Sequence, residues 1–355
     1  MPYTHFRYIA YELPTATIVG GSVVSGYPPG TNCPVVPEIP VPSGLTLTPD
    51  AEARLLRFAA VVKRAWERVQ ALGGDNGNAL KIFMAPEFYF RPPSTTGGNY
   101  KNDSYPSKEA AKIIAAFDTM FEHVHFTDWL IIPGTLLWNN EDVPLMDGNF
   151  IYRNTALRIK GGAANSTHLI EKNMSSGIDG VPAAYTTGGY TNLKLVYQDW
   201  ALRQTRSFNI EGIDFGLDIC LDHLDDIACK QCKNVLREWA EKGSEKDTKI
   251  HLLTAGGMTI QEKSVAANVK GYILRNDGYS NAPVSQQKRV TKYDYPKYIG
   301  IGTFSPKNLG STAVMDADTL AQDTINLAGV ECVPPKPAQT FAFAQRIVIY
   351  PTTAF

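Results

Sequence analysis

The chain has 355 residues, with 34 basic and 35 acidic side chains and a formal net charge of −1. A balance this even sets up no field to draw in a polyanion or an acidic membrane surface, so neither nucleic acid nor a membrane is an expected partner. No segment approaches the ~18 apolar residues of a spanning helix, and the opening MPYTHFRYIAYELP has no basic stretch, apolar core and cleavage site, so a cytoplasmic protein is expected.

Five cysteines, Cys33, Cys220, Cys229, Cys232 and Cys332, are an odd number in a chain long enough to bury a large core. That argues for free thiols in a reducing compartment rather than a disulfide framework.

In chain order, FRYIAYEL at 6–13 reads as a first strand, and the Pro/Gly/Ser-rich stretch from about 25 to 47 as an extended surface loop. Thr48 before Pro49 opens an amphipathic helix whose buried face carries Leu55, Phe58, Val62, Trp66 and Val69 and which closes at Gly73. LKIFMAPEFYF is a short buried strand running into a loop at Pro86. A second helix runs from Ser107 to about His123, with Ile113, Phe117 and Phe121 on one face, and DWLIIPGTLLW is the next buried strand. This is the strand and helix alternation of an α/β protein.

Further strands are NFIYRNTALRI, LKLVYQDW and RSFNIEGIDFGLDIC, with a short turn at Glu211-Gly212. After Cys220 a helical pattern carries Leu224, Ile227, Cys232, Val235 and Trp239. KIHLLTAGG, KGYILRNDG, GSTAVMDADT and FAFAQRIVIY complete the series. Many separate strands with few charges fit two packed sheets covered by helices.

The stretch GIDFGLDICLDHL at 212–224 raises a chemical question, because an alternating apolar strand ends on a cysteine and then turns into Asp and His. A thiol between a strand and a helix start faces free backbone N–H groups and the positive end of the helix dipole, which favour thiolate and can also bind an oxyanion. Cys220 is also readable as a small buried hydrophobe, the commoner fate of a free cysteine.

Glu87, at the end of a strand between Pro and aromatics, sits where desolvation would raise its affinity for a proton, as a general base needs. Lys172 follows an apolar pair beside Glu171 and would hold a developing oxyanion. A loop cap and a solvated ion pair are the structural alternatives for these two.

Together, in this order, these stretches resemble the nitrilase superfamily of carbon–nitrogen hydrolases. APEFYF follows the family's Pro-Glu-aromatic pattern; IIPGTLLW and YRNTALRI resemble the strand, turn and Asn-Thr-Ala pair that follow; EKN resembles the lysine segment; and GIDFGLDICLD resembles the nucleophile motif. LLTAGGM and GSTAVMDADTLAQDT resemble the last core strands, so the likeness spans roughly 5–350.

The resemblance implies an α-β-β-α four-layer sandwich. It further implies one domain over 1–355, with a Pro/Gly-rich loop insertion at about 25–47 and a local elaboration at about 262–300. It implies hydrolysis of a small amide, or of a nitrile or N-carbamoyl compound, through a covalent thioester or thioimidate at Cys220. Glu87 would be the base, and Lys172 with the Leu221 backbone N–H would hold the oxyanion.

No cofactor and no metal are needed by that scheme, and a homodimer or higher homo-oligomer is expected. Asp179, seven residues after Lys172, is the candidate supporting carboxylate; the segment HLDDIA after Asp222 departs from the family's Arg-aromatic-Pro-Glu, so the salt bridge those residues make is either replaced or absent. Tyr89, Phe90 and Trp138 are candidate substrate-binding aromatics.

Rival readings are an N-acyltransferase on the same site, a non-catalytic binding member of the fold, and a metal phosphoesterase using Asp218, Asp222, His223, Asp225 and Asp226. Those carboxylates would also ride a helix start, where Asp is favoured anyway. The CKQC pair at 229–232 offers only two of the four ligands zinc needs and reads as packing.

Overall fold

The structure, a computed structural model, describes residues 3–19, 22–25, 35–92, 104–139, 152–172, 206–224, 248–279, 283–294, 312–318, 320–327 and 345–355. In chain order its first elements are β1 (His5–Glu12), the hairpin of β2 (Ala16–Val19) and β3 (Ser22–Ser25), α1 (Pro49–Ala71) and β4 (Ala79–Met84). Then come β5 (Tyr105–Pro106), α2 (Ser107–Met120), β6 (Trp129–Ile132), β7 (Thr135–Asn139), β8 (Tyr152–Lys160) and β9 (Thr167–Glu171). The second half holds β10 (Ser207–Ile210), β11 (Ile213–Ile219), β12 (Thr248–Ala255), β13 (Ala267–Asp277) and β14 (Val284–Asp294). It ends with β15 (Thr312–Met315), β16 (Asp323–Asn326), β17 (Arg346–Ile349) and β18 (Thr353–Ala354).

Among the described residues these strands form two main sheets and the small β2/β3 hairpin. The larger runs β16-β17-β1-β4-β6-β8-β7-β5, with β18 beside β1 and β9 beside β8; the smaller runs β10-β11-β12-β13-β14-β15. The centre of each is parallel: β1 with β4 and β4 with β6, and β11 with β12 and β12 with β13.

Strand periodicity decides what each face meets. Phe6, Tyr8 and Ala10 of β1, Leu80, Ile82 and Met84 of β4, and Leu130 and Ile132 of β6 share one buried cluster with Phe215, Leu217 and Ile219 of β11, Ile250 and Leu252 of β12, and Tyr272 and Leu274 of β13. This is the core between the sheets. The alternate residues Ile9, Tyr11, Phe83, Trp129 and Ile131 pack instead with Leu55, Phe58, Val62 and Val69 of α1 and Ile113 and Phe117 of α2. Helix, sheet, sheet is therefore the order of layers, a mixed α/β architecture compatible with the nitrilase-type sandwich. The helix expected to cover the second sheet falls on 225–247, outside the described residues.

Local sequence explains the helices. Thr48 caps α1, its Oγ1 accepting from Ala51 N at 3.4 Å, with Pro49 at the first position and Asp50 and Glu52 in the first turn. Trp66, expected on the buried face, packs against it only partly. Periodicity did not anticipate Arg54 and Arg57, both fully buried in α1. Arg54 donates to Asp50 at 2.9 Å and to the Tyr89 carbonyl at 2.8 Å, and Arg57 donates to the Tyr89 hydroxyl at 3.1 Å. Both thus tie α1 to the loop after β4. Glu211 and Gly212, at φ 48° and 91°, form the two-residue turn between β10 and β11, the positive-φ pair that suits right-twisted strands.

The stretch 262–300 contains β13 and β14, strands of the second sheet, and β13 buries Tyr272, Ile273 and Leu274. Of the loop at 25–47, residues 26–34 lie outside the described residues; Val36 and Ile39 are buried.

Candidate functional site

The site is built at the carboxyl ends of strands, where parallel sheets leave a crevice for ligands. Glu87 lies three residues beyond β4, Lys172 directly follows β9, and Cys220 directly follows β11.

The loop Ala85–Phe90 that carries Glu87 is pinned by backbone contacts. Ala85 N donates to the Ile132 carbonyl at 2.8 Å, Phe90 N to the Thr135 carbonyl at 3.0 Å, and Phe88 N to Thr135 Oγ1 at 2.9 Å. Phe88 has φ 64°, a conformation that a bulky residue keeps only when its surroundings impose it. Gly134 makes the close approach possible: its φ is +78°, and a Cβ there would lie 2.1 Å from the Pro86 carbonyl oxygen. Gly134→Ala is expected to cost about 2 kcal/mol or more, read as a lower urea midpoint, and to disturb the Glu87 loop. An unchanged midpoint would contradict this close packing.

Glu87 is fully buried, and its Oε1 accepts from Lys172 Nζ at 2.8 Å and from Asn154 Nδ2 at 2.8 Å. The ladder sets this up: Lys172 N donates to the Asn154 carbonyl at 2.8 Å, so the two residues stand side by side. Lys172 Nζ also lies 5.6 Å from the centre of the Phe88 ring. Both groups are buried, and their mutual attraction at this distance offsets part of the desolvation cost of each.

Two connections link the Cys220 segment to the elements that carry this pair. In the first, β11 and β12 run parallel with Ile219 beside Thr254; Thr254 Oγ1 donates to the Ala85 carbonyl at 3.2 Å, and a Cβ on Gly256 would lie 3.2 Å from Glu87 Oε2. The ends of β4 and β11 therefore meet over Thr254–Gly256. In the second, Arg206, buried before β10, donates from Nη2 to the Glu171 carbonyl at 2.9 Å and to Asp222 Oδ2 at 2.7 Å. One guanidinium thus joins the residue before Lys172 to the second residue after Cys220. It supplies the salt bridge for Asp222 that the altered segment after the cysteine left open.

Cys220 itself is buried and is the free cysteine among the described residues; the other four lie outside them. It opens a four-residue 3-10 turn, Cys220–His223, and has φ 47°. The longer helix expected from Leu224 onwards falls outside the described residues. Positive φ is strained backbone for a cysteine and persists only where the surroundings impose it. Leu221, the expected oxyanion donor, is the next residue of the turn.

Around this centre the carboxylates differ. Burial pushes the Glu171 carboxyl up to about 7, against the pull of Arg153, whose Nη1 lies 2.9 and 3.1 Å from its two oxygens. Burial alone would raise Asp218, but hydrogen bonds from His223 Nδ1 and His251 Nε2, each 3.0 Å from Oδ2, hold its carboxyl well below the ordinary range.

Asp218, His223 and His251 form a buried group with the residue types of a metal site. The donor set argues for a hydrogen-bonded triad instead. His251 Nδ1 accepts from Ala266 N at 3.0 Å, so its proton sits on Nε2 and points at Asp218. A metal-bound histidine characteristically donates from its other nitrogen. Of the acidic cluster weighed from the sequence, Asp222 pairs with Arg206 instead, and Asp225 and Asp226 lie outside the described residues.

Desolvation lowers the proton affinity of His223 below its ordinary value, despite Asp218, so the folded protein keeps it neutral while the unfolded chain protonates below about pH 6.5. The unfolded state then binds the extra proton, and stability falls with falling pH by up to about 1.4 kcal/mol per unit from this residue. Urea unfolding between pH 7 and 5.5 is expected to show that slope and to lose one proton's worth of it in His223→Asn. An unchanged slope in the variant would assign the acid sensitivity elsewhere.

The three candidate substrate-binding aromatics belong to or pack on the helix-side core. Tyr89 and Phe90 are fully buried in the helix-side core, Tyr89 bonded to Arg54 and Arg57. Trp138 pairs across the sheet with Arg153, one position from Asn154, and so faces the opposite side from Asn154 and Lys172; its Nε1 donates to Thr155 Oγ1 at 3.0 Å. The aromatic beside the site is Phe88. Asp179 lies outside the described residues. Asn154 stood inside a motif that was read, whereas Arg206 carried no sequence signal beyond preceding an alternating strand.

Among the described residues no helix is long and apolar enough to cross a membrane. No protein-family model and no curated protein matches the chain. Among solved structures it is similar to an amidase from Nesterenkonia sp., with 12% identity and a TM-score of 0.39 over 82% of this chain and 83% of that one. A mutant of the Nesterenkonia AN1 amidase from the nitrilase superfamily gives 11% and 0.37 over 82% and 83%. The glutamine-dependent NAD+ synthetase from Acinetobacter baumannii gives 11% and 0.39 over 88% of this chain and 44% of that one. Likeness at this level leaves the chemistry to the residues themselves.

Proposed function

We propose that the chain is a cysteine-dependent hydrolase that cleaves the carbon–nitrogen bond of a small amide, by the chemistry of the nitrilase superfamily. The observation that carries the reading is the Arg206 bridge, which joins the Lys172 and Cys220 segments around a buried Glu87–Lys172 pair 2.8 Å apart.

Glu87 takes the Cys220 thiol proton as Sγ attacks the amide carbon, forming the C–S bond. Lys172 and the Leu221 N–H hold the oxyanion of the tetrahedral intermediate. Its collapse breaks the C–N bond, and Glu87 returns the proton to the leaving amine. Water then gives a proton to Glu87 and attacks the thioester, releasing the acid and restoring the thiol. Asn154, bonded to the same Glu87 oxygen as Lys172, fixes the carboxylate's rotamer through both steps. A small uncharged acyl group suits a site walled by Phe88 and the inter-sheet core.

The test is release of ammonia or amine from a panel of amides, with and without iodoacetamide and chelator. Activity lost on alkylation of Cys220 and indifferent to chelator supports the proposal. Turnover that survives full alkylation of Cys220, or that stops with chelator, rules it out.

A further inference from the structure

The turn that carries Cys220 is clamped from behind. Asp218, two residues before the cysteine, accepts at one oxygen from His223 Nδ1, three residues after it, at 3.0 Å, closing the turn across its mouth. The same oxygen accepts from His251 Nε2 at 3.0 Å on the neighbouring strand β12, and His251 is itself fixed by the Ala266 N–H at 3.0 Å. On the other side of the turn, Arg206 holds Asp222 at 2.7 Å and reaches Asp218 Oδ1 at 3.6 Å. Asp218, His223 and His251 are fully buried.

Faces separate this clamp from the chemistry. Phe215, Leu217 and Ile219 of β11 and Ile250 and Leu252 of β12 fill the core between the sheets. Asp218 and His251 alternate with them and project from the opposite face, away from Glu87 and Lys172. They bear on the turn that carries the thiol, where Cys220 has φ 47°. A residue held at that φ without glycine relaxes unless the turn is over-determined.

We infer that His223 and Asp218, backed by His251, are positioning residues that hold the Cys220 turn in its strained form and so present the thiol to Glu87 and Lys172. The inference rests on the reading of Cys220 as the nucleophile. A merely structural His223 would affect stability and leave thiol reactivity unchanged.

Asparagine and glutamine separate the two roles, because an Asn side-chain N–H reproduces the position of Nδ1 and a Gln N–H that of Nε2. The rate of Cys220 alkylation by iodoacetamide, followed by peptide mass, is compared for wild type, His223→Asn and His223→Gln, with kcat and KM on an amide substrate. His223→Gln is expected to slow alkylation and lower kcat by about tenfold to a hundredfold, the usual result of a misplacement near 1 Å, with KM little changed. His223→Asn is expected to restore most of both.

Equal alkylation rates in the two variants, both folding cooperatively, would overturn the inference. If the wild type forms an acyl-enzyme and the variants alkylate alike, the positioning role fails and the hydrolase reading stands. If the variants differ in alkylation while no amide acylates the wild type, the hydrolase reading fails and the positioning role stands.

Discussion

Glu87→Gln is expected to lower amide turnover by about 10³-fold. The glutamine keeps the size of the side chain and can still accept from Asn154 and Lys172 through its carbonyl oxygen, both now 2.8 Å from Glu87 Oε1. It cannot take a proton, so neither thiol activation nor water activation has a base. Because proton transfer recurs in both half-reactions, the loss is expected mainly in kcat. Steady-state kinetics on the best amide of the panel checks it, and a variant within about tenfold of wild type would remove Glu87 from the base role.

Lys172→Met is expected to be the most destabilising single change at the site, by about 3 to 5 kcal/mol, since it leaves the Glu87 carboxylate buried and uncompensated. Glu87 is wholly enclosed and Lys172 nearly so, which leaves water no means of replacing the lost ammonium. Activity disappears with it, because the oxyanion loses its cation. The double variant Glu87→Gln, Lys172→Met removes both charges, so it is expected to recover much of the stability and none of the activity. Urea unfolding of the two single variants and the double variant measures this. A double variant as unstable as the sum of the singles would mean that the two groups do not act as a pair.

The parts of the candidate site that were readable from sequence share one property: each sits at the end of an apolar strand, where the hydrophobic pattern stops and a polar or thiol side chain follows. Glu87, Lys172 and Cys220 are all of this kind, and Glu87 and Lys172 meet at 2.8 Å. The same pattern located α1 and α2, whose apolar faces at Leu55, Phe58, Ile113 and Phe117 pack as periodicity requires.

Facing was less readable. Tyr89, Phe90 and Trp138 lie close to the site in sequence, yet an aromatic one position out of register belongs to the other side of the sheet. Phe88 is the residue whose positive φ turns the chain there. Arg54 and Arg57 broke the helix pattern because their partners, Asp50 and the Tyr89 carbonyl and hydroxyl, are specific hydrogen-bonding groups, and burial becomes tolerable only when these are in place.

Long-range partners were not readable at all. Arg206 meets Glu171 and Asp222, and His251 meets Asp218. Sequence separation says nothing about which charged residues a parallel sheet will bring side by side. Within 262–300, β14 is heavily polar, with Gln286, Gln287, Lys288 and Arg289 in its middle, and it is held in the second sheet by pairing with β13.

Intact-mass measurement of the wild type, Glu87→Gln and Cys220→Ala, after incubation with amides, nitriles and carbamoyl compounds, tests most directly whether Cys220 is the nucleophile of a site shared with Glu87 and Lys172. The predicted result is an acyl mass on the wild type or on Glu87→Gln, mapped by peptide analysis to Cys220 and missing from Cys220→Ala. Absence of any adduct from all three, together with turnover that follows added divalent metal, would contradict it and move the search to Asp218, His223 and His251.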